Sequence, residues 1–203
     1  MAERGLLMSA PMVLALLKGA KQQTRRLVTT ATSFVDGRRV GKKSWSQLNF
    51  DSSRVDKGPS PGGNPGPYLK VDSHDRETTH RIYPQWSPGD VLWIRETHAV
   101  DERGAVAYRA DHPGHPGPWT SSLFMRRKHA RILLLVTAVR PERLHDISEA
   151  DAKAEGVDAM DAIKAKVPTA RDVYRMLWDE LNSGRAPWKA NPWIHVLSFE
   201  RLP

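Results

Sequence analysis

The segment Ile132-Leu-Leu-Leu-Val-Thr-Ala-Val139 is apolar at odd and even positions alike. A strand of that pattern must be covered on both faces, so it belongs in the middle of a sheet with other layers on either side. Trp193 to Phe199 has the same two-sided character and is expected to be a second buried strand. Val91 to Thr97 alternates instead, with Val91, Trp93 and Arg95 on one face and Leu92, Ile94 and Glu96 on the other. The turn signal Ser87-Pro-Gly-Asp90 launches it, and Ala105 to Ala110 is expected to pair with it across Asp101 to Gly104. Tyr68 to Val71 and Thr78 to Tyr83 read as short strands.

Three helices are legible between these strands. Pro11 to Leu17 is apolar nearly all round, with Ser9 in the capping position and Gly19 as the stop. Ser148 and Asp151 form a box-like cap for a helix that stops at Gly156. Thr169 and Asp172 cap the last helix, in which Val173, Met176, Leu177 and Leu181 are the expected buried stripe, widened by Tyr174 and Trp178. With no long crossover units and no Gly-rich phosphate loop, the expected class is α+β: a curled, mixed sheet with flanking short helices.

The 203 residues suit one domain. Texture changes from Asp36 to Trp86, where Asp51 to Pro67 is dense in Gly, Pro, Ser and Asp. Too few apolar residues lie there to offset ordering entropy, so 36–86 is expected to hold a flexible insertion within a single domain of 1–203. The first apolar segment, within Met1 to Ala20, is too short to span a bilayer and lacks a cleavage pattern, which predicts a cytoplasmic protein with no membrane partner.

Chemistry is narrowed by what the chain lacks. Without cysteine there are no disulfides, no thiolate zinc ligands and no thiol nucleophile. The eight histidines contain no HxxxH or HxH pair, so neither a metal nor another cofactor is expected. No GxSxG elbow is present for a Ser-His-Asp triad. The net charge of +8, from 31 Lys and Arg against 23 Asp and Glu, favours a polyanion partner, RNA ahead of DNA. Arg25 at one end of the chain, and Arg127 and Arg131 in the basic run Met125 to Arg131, are the candidate phosphate contacts, with several tryptophans outside the helices as candidate stacking surfaces.

One short stretch concentrates reactive groups. Gly19-Ala-Lys-Gln-Gln-Thr-Arg-Arg26 carries an amine at Lys21, a hydroxyl at Thr24 and two guanidinium groups, between a helix and the β-branched run Leu27 to Thr32. Spacing alone is also compatible with a solvated basic turn.

These pieces together resemble the ASCH family of the PUA-like superfamily. The likeness rests on Gly19 to Arg26, on Pro88-Gly-Asp90-Val-Leu-Trp-Ile, on Val136-Thr-Ala-Val followed by Ile147-Ser-Glu-Ala-Asp-Ala-Lys-Ala-Glu155-Gly, and on Trp193 to Glu200. The longer, phage and prophage type is the nearer match, through Pro11-Met-Val, Trp93-Ile-Arg-Glu-Thr97, Met125, Arg127, Arg131 and Ile132. The chain departs from these proteins at Lys128, where an aromatic residue is usual, and from compact members at Gln22, where threonine is common. The resemblance implies a small mixed β-barrel with helices around a cleft. Compact members hydrolyse the acetyl group of N4-acetylcytidine with a lysine, a threonine and a glutamate, which correspond here to Lys21, Thr24 and Glu155. It further suggests Arg26, Trp93, Arg95 and Glu96 as substrate-binding residues.

The expected function is thus a metal-independent amidohydrolase for an N-acylated pyrimidine nucleoside or a related modified base. A non-catalytic RNA- or DNA-binding module, or a weak ribonuclease, is the alternative. A phage accessory protein that only contacts another protein is the third.

Overall fold

The computed structural model describes residues 2–203 apart from 29, 36–37, 45–49, 59–67, 74–77, 83, 113, 115–116 and 158–165; for 30–81 it describes the backbone alone. It is a mixed α+β structure. The main sheet has five strands: β1 (Glu3–Leu7), β2 (Gln23–Leu27), β8 (Val91–Arg95), β11 (Leu133–Arg143) and β12 (Trp193–Arg201), in the order β1-β8-β11-β12-β2. Neighbours are antiparallel except β1 and β8, which run parallel. The segment apolar on both faces is therefore the central strand.

Cover on both sides explains that pattern. One cluster joins α1 (Ala10–Leu17) to the sheet through Val13, Leu16, Leu92, Ile94, Leu134, Leu197 and Phe199. The other joins α2 (Glu149–Ala154) and α3 (Ala170–Asn182) to it through Ala152, Tyr174, Trp178, Ile194 and Val196. Successive residues of β12 thus point into different clusters, each desolvated by its own layer of helix.

The sheet's edges, β1 and β2, are not hydrogen-bonded to each other, so no barrel closes among the described residues. They nonetheless approach at one end, where the Arg26 guanidinium donates to the Leu7 carbonyl at 2.9 Å. Strand β1 was not anticipated. Its Gly5 runs so close beneath β8 that an added Cβ would meet the Arg95 and Trp93 side chains at 2.7 and 2.8 Å. Five residues with only two adjacent leucines carry no periodic signal, and the parallel ladder to β8 decides their conformation.

A second five-stranded sheet, β4-β3-β7-β6-β5, is built from β3 (Thr30–Val35), β4 (Arg38–Ser44), β5 (Phe50–Gly58), β6 (Tyr68–Ser73) and β7 (Thr78–Ile82). The first half of the stretch expected to be loop, Asp51 to Gly58, is therefore strand; the remainder, 59–67, lies outside the described residues. As an edge strand rich in charge, β5 lacks the apolar alternation that marks a strand in sequence. Ala105 to Ala110 forms its hairpin not with β8 but with the next short strand: β9 (His98–Val100) pairs with β10 (Val106–Tyr108). On α3 the buried residues are Ala170, Tyr174 and Trp178, while Met176 and Leu181 are exposed, so the expected stripe is turned by about one position. Among the described residues no helix is long and apolar enough to cross a membrane.

His195, on β12, supplies a pH test of this core. It is 4% exposed, and among the described residues its Nε2 has no hydrogen-bond partner. Burial holds its pKa down to about 4, against 6.5 for a free histidine. Between those values the unfolded chain binds a proton that the folded one refuses, so stability falls as pH drops from 6.5 towards 4, by about 3 kcal/mol from this group. Denaturant unfolding at pH 7.5 and 4.5 should show His195→Phe losing less stability on acidification than wild type. Equal losses in the two proteins would contradict this.

Candidate active site

Helix α1 ends in Gly19, whose φ of +74° lets the chain reverse, and Lys21 leaves the turn with its N–H bonded to the Ala15 carbonyl at 3.2 Å. Helix α2 arrives from the other end of the sequence. Its start is fixed by the reciprocal Ser148–Asp151 box, and the residue that caps its C-terminus, Glu155, forms an isolated antiparallel bridge with Lys21. The Gln22 N–H donates to the Ala154 carbonyl at 2.7 Å and strengthens that junction. Gly156 follows at φ +93°, with room for no side chain: a Cβ there would lie 2.8 Å from the Ala15 Cβ. Two glycines and two helix ends thus bring positions 134 residues apart into contact.

Lys21 Nζ donates to Glu155 Oε2 at 2.7 Å and to the Glu155 carbonyl at 2.8 Å. Both residues are buried, Lys21 at 4% exposure, so the amine is not solvated although Gly19, Ala20 and Gln22 around it are exposed. Arg25 binds the second oxygen of Glu155 at 3.1 Å and also donates to Glu142 Oε1 from Nε (3.1 Å) and a terminal nitrogen (2.8 Å). The Asp151 carboxylate is 3.6 Å from Arg25, and Arg140 bridges Glu142 and Asp151 from outside. Two cations and a carboxylate therefore sit in a nearly dry network, backed by two further carboxylates.

The network has electrostatic consequences. Burial lowers the Lys21 pKa, the attraction of Glu155 opposes this, and the nearby Arg26 and Arg25 lower it further; burial wins. Burial acts against the Asp151 carboxylate, but hydrogen bonds from Ser148 and the charge of Arg25 outweigh it and hold its pKa to about 2. The Tyr174 hydroxyl is pushed well up by burial, so it remains a neutral phenol.

Lys21, Thr24 and Glu155 line one cavity of about 430 Å³, together with Arg25, Arg26, Tyr174, Leu177 and Arg185. Leu7, Met8 and Met12 form the β1–α1 side of its wall. Thr24 and the two arginines after it lie on β2 rather than in the turn before it. A second hollow of about 460 Å³ touches Lys21 and Gln22 but includes neither Thr24 nor Glu155, so the chemistry is assigned to the first.

The other candidate residues fall elsewhere. Arg26 is in the cavity wall, but Trp93, Arg95 and Glu96 do not line it. Arg95 lies over the Trp93 ring at 5.4 Å and donates to the Leu123 carbonyl. Glu96 is enclosed and receives two hydrogen bonds from Arg131, at 2.8 and 2.9 Å. Arg131 also pairs with Asp111 and covers the Tyr108 ring at 3.9 Å, and Arg127 holds Glu3 through two bonds of 3.0 Å. Arg25, placed among the candidate phosphate contacts, has a side chain with no exposed surface. Three expected nucleic-acid contacts are thus committed to carboxylates. Sequence reasoning missed Glu142 as a partner of Arg25, and Arg185 as a wall residue; neither sits in a motif, and only the sheet and α3 bring them to the site.

Among the described residues no group of three or more His, Asp or Glu is placed to hold a metal ion. Comparison with protein-family models, with curated proteins and with solved structures finds no match.

Removing one member of a buried pair leaves its partner charged and dry, which costs roughly 3–5 kcal/mol. Glu155→Gln should therefore destabilise the protein by about that amount in urea unfolding, and adding Lys21→Met should recover part of the loss. A cost for Glu155→Gln as small as that of an exposed pair, below about 1 kcal/mol, would contradict the enclosed geometry.

Proposed function

We propose that this chain is an amidohydrolase of the ASCH type, acting on an N-acylated pyrimidine nucleoside, with N4-acetylcytidine as the model substrate. The observation that carries this reading is the buried Lys21–Glu155 contact in the wall of a cavity that Thr24 also lines. The curl of the main sheet, whose edges meet through Arg26 and Leu7, supports reading it as an opened form of the small barrel that the resemblance implies.

In the reaction we assign, the neutral amine of Lys21 takes the Thr24 proton as Oγ attacks the acyl carbon. A lysine in water is almost wholly protonated at neutral pH; the dry setting of Lys21 raises its neutral fraction. Collapse of the tetrahedral intermediate breaks the C–N bond, and the Lys21 ammonium returns the proton to the departing exocyclic amine. The acyl group is left as an ester on Thr24. Water then attacks that ester, with its proton passing to the Lys21–Glu155 pair, and the carboxylic acid leaves as Thr24 recovers its own. Glu155 serves as the acid/base partner that keeps the amine in place and shares its proton.

Incubated with N4-acetylcytidine, the wild-type protein should release cytidine and acetate in equal amounts. Thr24→Ala and Lys21→Ala should each slow release by about 10²–10⁴-fold. No release by wild type, or unchanged release by both variants, refutes the proposal.

The net charge and one exposed patch favour a second reading, nucleic-acid binding. Arg126 and Lys128 are exposed and lie two and four residues after Phe124 in sequence, itself 70% exposed, which pairs cations with an exposed aromatic side chain in one short segment. On this reading Arg126→Ala with Lys128→Ala weakens binding to a labelled RNA oligonucleotide more than Arg127→Ala does, and affinity falls steeply with salt. Undetectable binding at low salt would exclude it.

A further inference from the structure

The cavity wall holds more positive charge than its carboxylates balance. Lys21 and Arg25 are neutralised by Glu155, with Glu142 as the second partner of Arg25. Arg26 and Arg185 have no carboxylate partner among the described residues. Arg26 donates to the Leu7 carbonyl, and among the described residues its buried Nε has no hydrogen-bond partner. Arg185 donates to the neutral Asn182 side-chain amide at 3.2 Å and is otherwise exposed. The two guanidinium groups are close enough to repel: burial lowers the Arg26 pKa first, Glu155 opposes that, and Arg185 lowers it again. Every other arginine that encloses this site, or was expected to bind phosphate, is already paired.

An uncompensated guanidinium with an unsatisfied donor in a cavity wall is costly unless an anion arrives. We propose that Arg26 and Arg185 form an anion subsite for the phosphoryl group of a single nucleotide, so that the ligand of this cavity is a pyrimidine nucleoside monophosphate rather than the bare nucleoside. A phosphate monoester carries close to two charges and three acceptor oxygens, and so it satisfies both guanidinium groups; a carboxylate neutralises one. The space of about 430 Å³ is at the small end of small-molecule sites and suits one nucleotide rather than a strand. The same wall includes Leu7, Met12 and Leu177, which offer apolar surface to a base and ribose. The placement of the acyl group at Lys21 and Thr24 rests on the hydrolase reading; the anion end rests on Arg26 and Arg185 alone.

Calorimetric titration of the full chain with cytidine, cytidine 5′-monophosphate and a cytidine trinucleotide tests this without requiring turnover. The monophosphate should bind about tenfold or more tightly than cytidine. Arg185→Gln, an exposed substitution that leaves the core untouched, should remove most of that advantage; Arg26→Gln should also remove it. The proposal is overturned if the monophosphate binds no better than cytidine, if its advantage survives both substitutions, or if the trinucleotide binds and the monophosphate does not. A monophosphate preference in a protein that releases no acetate keeps the anion subsite and removes the hydrolase. Turnover of N4-acetylcytidine without that preference does the reverse.

Discussion

A single contact between an ammonium and a carboxylate, made in the near absence of water, organises this molecule. Lys21 and Glu155 are 134 residues apart in sequence and 2.7 Å apart in space. Such a pair is expensive to bury, because each ion gives up its hydration, and mutual attraction offsets that only with good geometry and every remaining donor and acceptor satisfied. The fold meets most of that condition. The ammonium also reaches the Glu155 carbonyl, and the other carboxylate oxygen is taken by Arg25, whose remaining donors are directed at Glu142 and Asp151. Gly19 and Gly156 let two chain reversals pack where side chains would collide or strain.

Charge is matched unevenly around the cavity. Lys21 and Arg25 in its wall are paired with carboxylates; Arg26 and Arg185, among the described residues, are not. That difference separates two tasks. The matched pair tunes the protonation of one amine, which is a question of chemistry, and the unmatched pair attracts an anion, which is a question of binding. The same logic shows why net charge is a poor map of a binding surface. The chain carries +8, yet the arginines that the sequence marked as phosphate contacts, Arg25, Arg127 and Arg131, are locked to Glu142, Glu3, Glu96 and Asp111.

How much was legible in the sequence follows from how local each determinant is. Two-sided apolarity at Ile132 to Val139 placed the central strand, because burial on both faces leaves a mark on every residue. The stop at Gly19, and the Ser148–Asp151 and Thr169–Asp172 caps, were legible because each is a bond between near neighbours. Strands β1 and β5 were not, since ladders to β8 and to β6 impose them on residues with no strand pattern. The burial of Arg25 was equally hidden: an arginine beside another arginine reads as surface until three distant carboxylates converge on it. Lys21, Thr24 and Glu155 were named through a family resemblance, and the structure sets them around one cavity; their chemistry stands as a proposal.

The most direct test of this account is the titration of the Lys21 amine itself, followed through its ε-carbon NMR signal in the full chain, with Lys21→Arg to assign the resonance. A dry site in which burial outweighs the attraction of Glu155 predicts a midpoint below the 10.5 of a free lysine. A midpoint at or above 10.5 would mean that water reaches the amine or that the carboxylate dominates it, and the proposed base would have no basis.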